Sequence, residues 1–188
     1  MTDSESGDNM TAAVLDVLPH GRPGDDRPQH QKEPLAYALD IEEFYIYELS
    51  LEEDDDIAFG DRVDLTEFGR VTEVAFDDLP SGARSELEYA VEEVVEADER
   101  RFVDFYNDAQ PITLRLHQLN LLPGIGKKLR NTILDERKRK PFESFEELEE
   151  RVSGLHNPRE VLIERIIEEL EEDDLKYRIF VRREEQSS

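Results

Sequence analysis

The chain has 188 residues, 37% of them hydrophobic and 38% charged, and it contains no cysteine. Disulfides, thiolate catalysis and cysteine-ligated zinc are excluded, and no stretch approaches the ~18 consecutive apolar residues of a membrane helix. With 48 acidic against 23 basic residues the net charge is -25, which at face value disfavours a polyanionic partner.

The distribution of charge along the chain alters that picture. Residues 1–110 hold 31 acidic and 8 basic residues, whereas 111–188 hold 17 and 15. Within 127–140, Lys127, Lys128, Arg130, Arg137, Lys138, Arg139 and Lys140 face Asp135 and Glu136, a basic island of +5. Acid spread over the rest of the chain is the composition of halophilic proteins that work in molar potassium chloride. At that salt the screening length falls to about 3 Å, so direct contacts outweigh long-range attraction.

Residues 1–10, MTDSESGDNM, lack a basic region followed by an apolar run. They read as a disordered polar tail without a secretory signal, and a cytoplasmic location is expected. Five short β-rich runs occupy 11–76: Ala13–Leu18, Leu35–Leu39, Phe44–Leu51, Asp61–Leu65 and Phe68–Phe76. A Gly/Pro loop over 20–28 carries Arg22 and Arg27 between the first two. This spacing predicts a small closed barrel of the OB or S1 kind, with a meander packed on a helix as the alternative. A helical connector is expected over 77–110, opened by Asp78-Leu79-Pro80 and carrying Leu87, Val91, Val94 and Val95 at helical spacing.

The most informative stretch is Ile112–Leu148, within a third region at 111–188. Ile112, Leu116 and Leu119 form one helical stripe, Leu121-Leu122-Pro123-Gly124-Ile125-Gly126 interrupts it, and Leu129, Ile133 and Leu134 resume a second helix over 127–139. Glycines at 124 and 126 permit a tight turn and close approach by another molecule. Amides of the turn and of the following helix start then present donors to a phosphate at the positive end of the helix dipole. Lys127, Lys128 and Arg130 supply counter-charge, and such contacts follow the backbone and not the base sequence. The competing interpretation is a tight αα-hairpin with no ligand.

This run resembles the helix-hairpin-helix family. The resemblance implies phosphate contact through Gly124, Ile125, Gly126 and Lys128; Lys138 and Lys140 of the basic island are further candidate contacts. One departure is Arg130, where the family usually has a small residue. Ser144-Phe145-Glu146-Glu147 is a capping-box start for a further helix, and Val152–Pro158 stands where a second hairpin belongs, with His156 in place of the second glycine. That copy reads as scaffold. Leu175–Arg183 alternates apolar and basic residues and predicts a terminal strand at 175–183, whose Lys176, Arg178, Arg182 and Arg183 extend the basic surface or form a solvated face.

Across most of its length the chain resembles an archaeal family of uncharacterised, predicted RNA-binding proteins that joins an OB/S1-like barrel to a helix-hairpin-helix domain. The segments that carry this are Val17–Pro28, Asp108–His117, the hairpin and Pro141–Glu146. The resemblance implies an α+β fold and a non-enzymatic role with RNA near translation or ribosome maturation. Duplex DNA is the alternative ligand, and a basic ribosomal or transcription protein docked on the acidic barrel is a further partner. Arg22 and Arg27 of the Gly/Pro loop are expected to contact RNA, and Tyr45 or Tyr47 would stack bases if exposed, although residues 11–76 carry 17 acids against 5 bases. No cofactor, membrane or metal is implied: His20, His30, His117 and His156 lack ligand spacing, and no constellation supports catalysis.

Overall fold

The computed structural model describes residues 10–24 and 26–182. The expected tail, Met10 apart, and Arg183 lie outside the described residues. The chain divides into two compact units, Met1–Ala90 with Phe180–Ser188, and Val91–Ile179, so the expected helical connector is shared between them.

The first unit is built on a five-stranded antiparallel sheet of β1 (Thr11–Leu18), β2 (Leu35–Asp40), β3 (Ile46–Ser50), β4 (Arg62–Asp64) and β5 (Val71–Val74), in the order β4-β1-β2-β3-β5. All five runs expected from the sequence form strands. β2 is the middle strand and all six of its residues are buried, as strand alternation demands when both faces are covered. On one face Ala12, Ala36, Ala38 and Leu49 pack with Leu51 and Leu65. β3 begins at Ile46 and not at Phe44, because Phe44 takes a left-handed φ of 62° in the β2–β3 turn. The Asp40 carboxylate holds that turn by accepting from the Glu43 amide at 2.9 Å. A closed barrel requires β4 to pair with β5; among the described residues these two strands end the sheet without a ladder between them.

α1 (Ser81–Ala97) starts where proline predicts: the Pro80 carbonyl accepts the first helical bond, from Arg84 N at 3.0 Å. In the second unit follow α2 (Glu99–Asp108), α3 (Lys127–Arg139), α4 (Phe145–Arg151) and α5 (Pro158–Glu171). Its core gathers Phe102, Tyr106, Leu119, Ile133, Phe142, Leu148, Leu162 and Ile166, all essentially without solvent contact. Polar clips lock the chain around it. Asn107 exchanges two bonds with the backbone of Phe142 (2.8 and 2.7 Å), and the buried Tyr106 hydroxyl donates to the Pro158 carbonyl at 2.8 Å.

Two expected elements are absent. The stripe Ile112, Leu116, Leu119 does not form an α-helix: Thr113 Oγ1 accepts from the amides of Arg115 (3.2 Å) and Leu116 (3.0 Å), and a Pro111–His117 bridge closes the loop. A threonine that captures nearby amides competes with helix formation. A short 3-10 turn, Gln118–Leu121, takes its place. The terminal strand is likewise missing over the described residues 175–182. There α5 side chains claim backbone groups that a strand would pair: Ile179 N donates to Glu169 Oε1 at 2.8 Å, and Tyr177 O accepts from Arg165 Nη2 at 2.7 Å. Arg178 donates to the carbonyls of Glu169 and Glu172, satisfying the C-terminal end of α5 instead of forming a basic strand face.

Candidate nucleic-acid interface

Gly124 sits at φ 79°, the left-handed conformation that favours glycine, and a Cβ there would meet no atom within 4 Å. The requirement at 124 is therefore conformational, not steric. Ile125 is different from the expectation: its side chain is buried, its amide donates to Leu122 O at 3.3 Å, and its carbonyl accepts from Asn120 Nδ2 at 3.2 Å. These groups anchor the turn, so Ile125 offers no free donor to a ligand.

Gly126 is the N-cap of α3, extended at φ -91° and ψ -169°, and Arg130 N closes the first helical turn on its carbonyl at 2.9 Å. Among the described residues, the amides of Gly124, Gly126, Lys127 and Lys128 meet no hydrogen-bond acceptor. The latter three belong to the start of α3, where helix geometry leaves donors unpaired and the dipole is positive. No acidic residue occupies that first turn, and Lys127 and Lys128 are exposed.

Arg130 is half-buried and donates from Nη1 to Asn120 Oδ1 at 3.0 Å, with Nε 3.3 Å from Asn131 Oδ1. It thus braces the hairpin from the side where the family pattern has a small residue. The island does not act as one patch. Arg137 Nη1 donates to the carbonyls of Tyr106 (3.1 Å) and Ala109 (3.0 Å), ending α2, and Arg139 pairs with Glu136 at 3.3 Å. Lys138 and Lys140 are exposed at the far end of α3, about 16 and about 20 Å along the axis from Lys127 at ~1.5 Å per residue. Lys140 also lies near enough to Glu147 to help hold that carboxyl below its ordinary range, after the larger effect of its hydrogen bond to Arg151. Arg22 and Arg27 belong to the other unit, where Arg22 is engaged by Glu48.

The second hairpin repeats the first in backbone. Gly154 has φ 95°, and Leu155 N donates to Val152 O at 3.2 Å as Ile125 does to Leu122. Beyond that point it diverges: Asn157 adopts φ 50°, and Pro158 opens α5 without an amide proton while Tyr106 occupies its carbonyl. These differences favour the scaffold role expected from His156.

Sequence reasoning missed the residues that hold the first hairpin. Asn120 accepts from His117 N at 3.1 Å besides contacting Ile125 and Arg130, and the signal was a polar residue within the apolar Leu119–Leu122 run. His117 is buried, and its Nδ1 accepts from Leu119 N at 3.1 Å. Burial, then Arg137 and Arg130, hold its pKa below the ordinary histidine value. Protonation removes the acceptor, so stability conferred by neutral His117 is full above the unfolded value of about 6.5 and declines as pH falls from there through the lower folded value. A His117→Gln variant should show a shallower loss of melting temperature than the parent between about pH 7 and about pH 5. Equal slopes in the two proteins would remove His117 from the acid response.

Tyr45 and Tyr47 are half-buried with ring centroids 6.1 Å apart, and Tyr47 packs on the sheet core, so neither stands as an exposed stacking platform. Among the described residues no group of three or more His, Asp or Glu side chains is placed to hold a metal ion, and no helix is long and apolar enough to cross a membrane.

These features define a mixed α+β protein with an antiparallel-sheet unit and a helical unit that presents a glycine hairpin at a helix start. The chain belongs to the family described as "Protein of unknown function (DUF655)", which matches residues 8–182. It is 40% identical over 178 residues to the uncharacterized protein MJ0038 of Methanocaldococcus jannaschii, covering 91% of this chain and 79% of that protein. The crystal structure of Af1531 from Archaeoglobus fulgidus superposes with a TM-score of 0.83 at 38% identity, covering 92% of this chain and 99% of that one. Its relatives thus include archaeal proteins.

Proposed function

We propose that this is a non-enzymatic nucleic-acid-binding protein that grips the phosphate backbone of RNA, in a translation or ribosome-related role, through a helix-hairpin-helix element centred on Gly124–Lys128. The observation that carries it is the set of amides at Gly124, Gly126, Lys127 and Lys128 without acceptors among the described residues, flanked by two exposed lysines and no acid in the first turn. In a chain of net charge -25, such a cluster of donors is the local exception that an anionic ribbon needs. The short 3-10 turn replaces the first helix of the pattern without altering the donor set. An OB/S1-like character for the sheet unit draws support from β1 bonded to both β2 and β4. The hairpin mode does not depend on it.

Titrating the protein with a structured RNA and a DNA duplex of equal length tests the polymer. RNA should bind more tightly, with affinity falling as salt rises by a log–log slope of only about -2 to -3, because few phosphates are neutralised. Preference for the duplex would move the assignment to DNA, and no affinity for either would end it.

A further inference from the structure

The sheet unit contains a polar cleft of about 550 Å³ where the Gly/Pro loop after β1 overhangs β2 and β3. Its floor follows from register. Leu35 pairs with Ser50 and Tyr37 with Glu48, so these four residues share one face of the sheet, opposite Ala36, Ala38 and Leu49 of the apolar core. Arg22, Arg27 and Arg70 line the cleft against Glu33 and Glu48. Among the described residues the lining is therefore net positive, within a stretch, 11–76, that otherwise carries a large acidic excess.

The two carboxylates are unequal. Glu48 accepts from Arg22 Nη2 (2.5 Å), Arg22 Nε (3.0 Å) and the Tyr37 hydroxyl (3.0 Å). Burial first, and Glu48 next, push Tyr37 up to about 12, so it remains a donor throughout the neutral range. Both oxygens of Glu48 are thereby engaged, and its two bonds orient the Arg22 fork, whose opposite edge has no partner among the described residues. The exposed Arg70 side chain has no hydrogen-bond or ion-pair partner among the described residues. Pro23, Pro34 and Leu35 add an apolar wall, and the volume lies in the ~300–1,000 Å³ range of small-molecule sites.

We propose that this cleft binds one phosphate-bearing nucleotide, its phosphate held by the guanidinium groups of Arg70 and Arg22 and its base or sugar laid on the proline–leucine wall. Guanidinium forks match phosphate oxygens geometrically, and an oriented fork loses little freedom on binding. The same chemistry is presented by a free mononucleotide and by the 5′-phosphorylated end of an RNA strand. This site lies in the sheet unit and stands or falls independently of the hairpin.

Calorimetric titration with AMP and with adenosine tests the proposal, followed by a short RNA carrying either a 5′-phosphate or a 5′-hydroxyl. AMP or the 5′-phosphorylated RNA should bind at least ten times more tightly than its unphosphorylated counterpart. Arg70→Ala, at an exposed side chain without partners among the described residues, should lower that affinity at least tenfold while the melting temperature stays unchanged. Measurable AMP affinity assigns the free nucleotide as a ligand; an effect confined to the 5′-phosphorylated RNA assigns the strand end. The hairpin variant Gly126→Asp/Lys127→Ala/Lys128→Ala should leave AMP affinity, or the preference for a 5′-phosphate, unaltered. Absence of binding by AMP and of any 5′-phosphate preference up to about 10 mM ligand, or binding indifferent to Arg70→Ala, overturns the proposal.

Discussion

Replacing Gly126 by Asp, together with Lys127→Ala and Lys128→Ala, is expected to weaken RNA binding at least tenfold, about 1.4 kcal/mol, in a protein that remains folded. The geometry makes this a clean probe. Gly126 is extended, at φ -91°, so any residue adopts its backbone conformation, and a Cβ there would meet no atom within 4 Å. Aspartate is also among the best N-cap residues: its carboxylate accepts from the amides two or three positions on and favours the helix dipole. The substitution therefore draws the Lys128 amide of that set, with that of Leu129, to a carboxylate within the chain and places negative charge where phosphate would lie. Loss of affinity should accompany unchanged or raised thermal stability, a combination that unfolding does not produce. Gly124 is the poorer choice, because its φ of 79° strains any side chain. Filter binding and a thermal melt on the same preparation decide the matter: undiminished affinity in the folded variant refutes the hairpin assignment.

The second large effect is on stability. Glu169 is fully buried, with Oε2 2.8 Å from Arg165 Nε and Oε1 accepting from Ile179 N at 2.8 Å. Arg165, also buried, reaches the carbonyls of Leu121 (3.3 Å) and Tyr177 (2.7 Å). The pair thus ties α5 to the segment after it and to the chain just before the hairpin. Glu169→Ala leaves a buried guanidinium without its main counter-charge and should destabilise by ~3–5 kcal/mol. Glu168, 3.5 Å from Arg165 but half-exposed, is too well solvated to replace it. Replacing both partners by apolar residues, Arg165→Met/Glu169→Leu, should recover much of the loss, because neither charge then remains buried alone. Urea midpoints measure both variants. A deficit below about 1 kcal/mol for Glu169→Ala would show that water or Glu168 compensates the arginine.

Much of the fold was legible in particular residues. The five β-rich runs between 11 and 76 became five strands, and Pro80 and Ser144 marked helix starts where the structure has them. Ser144 Oγ accepts from Glu147 N at 3.0 Å, the local bond that its spacing implied. The failures have causes, one local and one tertiary, that hydrophobic periodicity does not register. Ile112, Leu116 and Leu119 kept helical spacing while Thr113 diverted the amides, and Leu114 came to lie fully exposed at the loop. Leu175–Val181 kept strand alternation, but Arg165 and Glu169 satisfied its backbone from α5.

The candidate hairpin shows the same division. Its location and its need for a left-handed glycine were set by Leu-Pro-Gly-Ile-Gly alone, since turn chemistry acts over a few bonds. Leu122 took the Ile125 amide within that same turn, whereas which cations stay open was decided by partners farther along the chain: Asn120 took Arg130, and Tyr106 and Ala109 took Arg137. Seven cations within fourteen residues are a compositional fact. That two remain at the helix start and two project at its far end, that Arg139 pairs with Glu136 on the surface of its own helix, and that Arg130 and Arg137 serve as braces follows from the partners each one meets, and for the two braces from a network assembled only when α2, α3 and the hairpin come together.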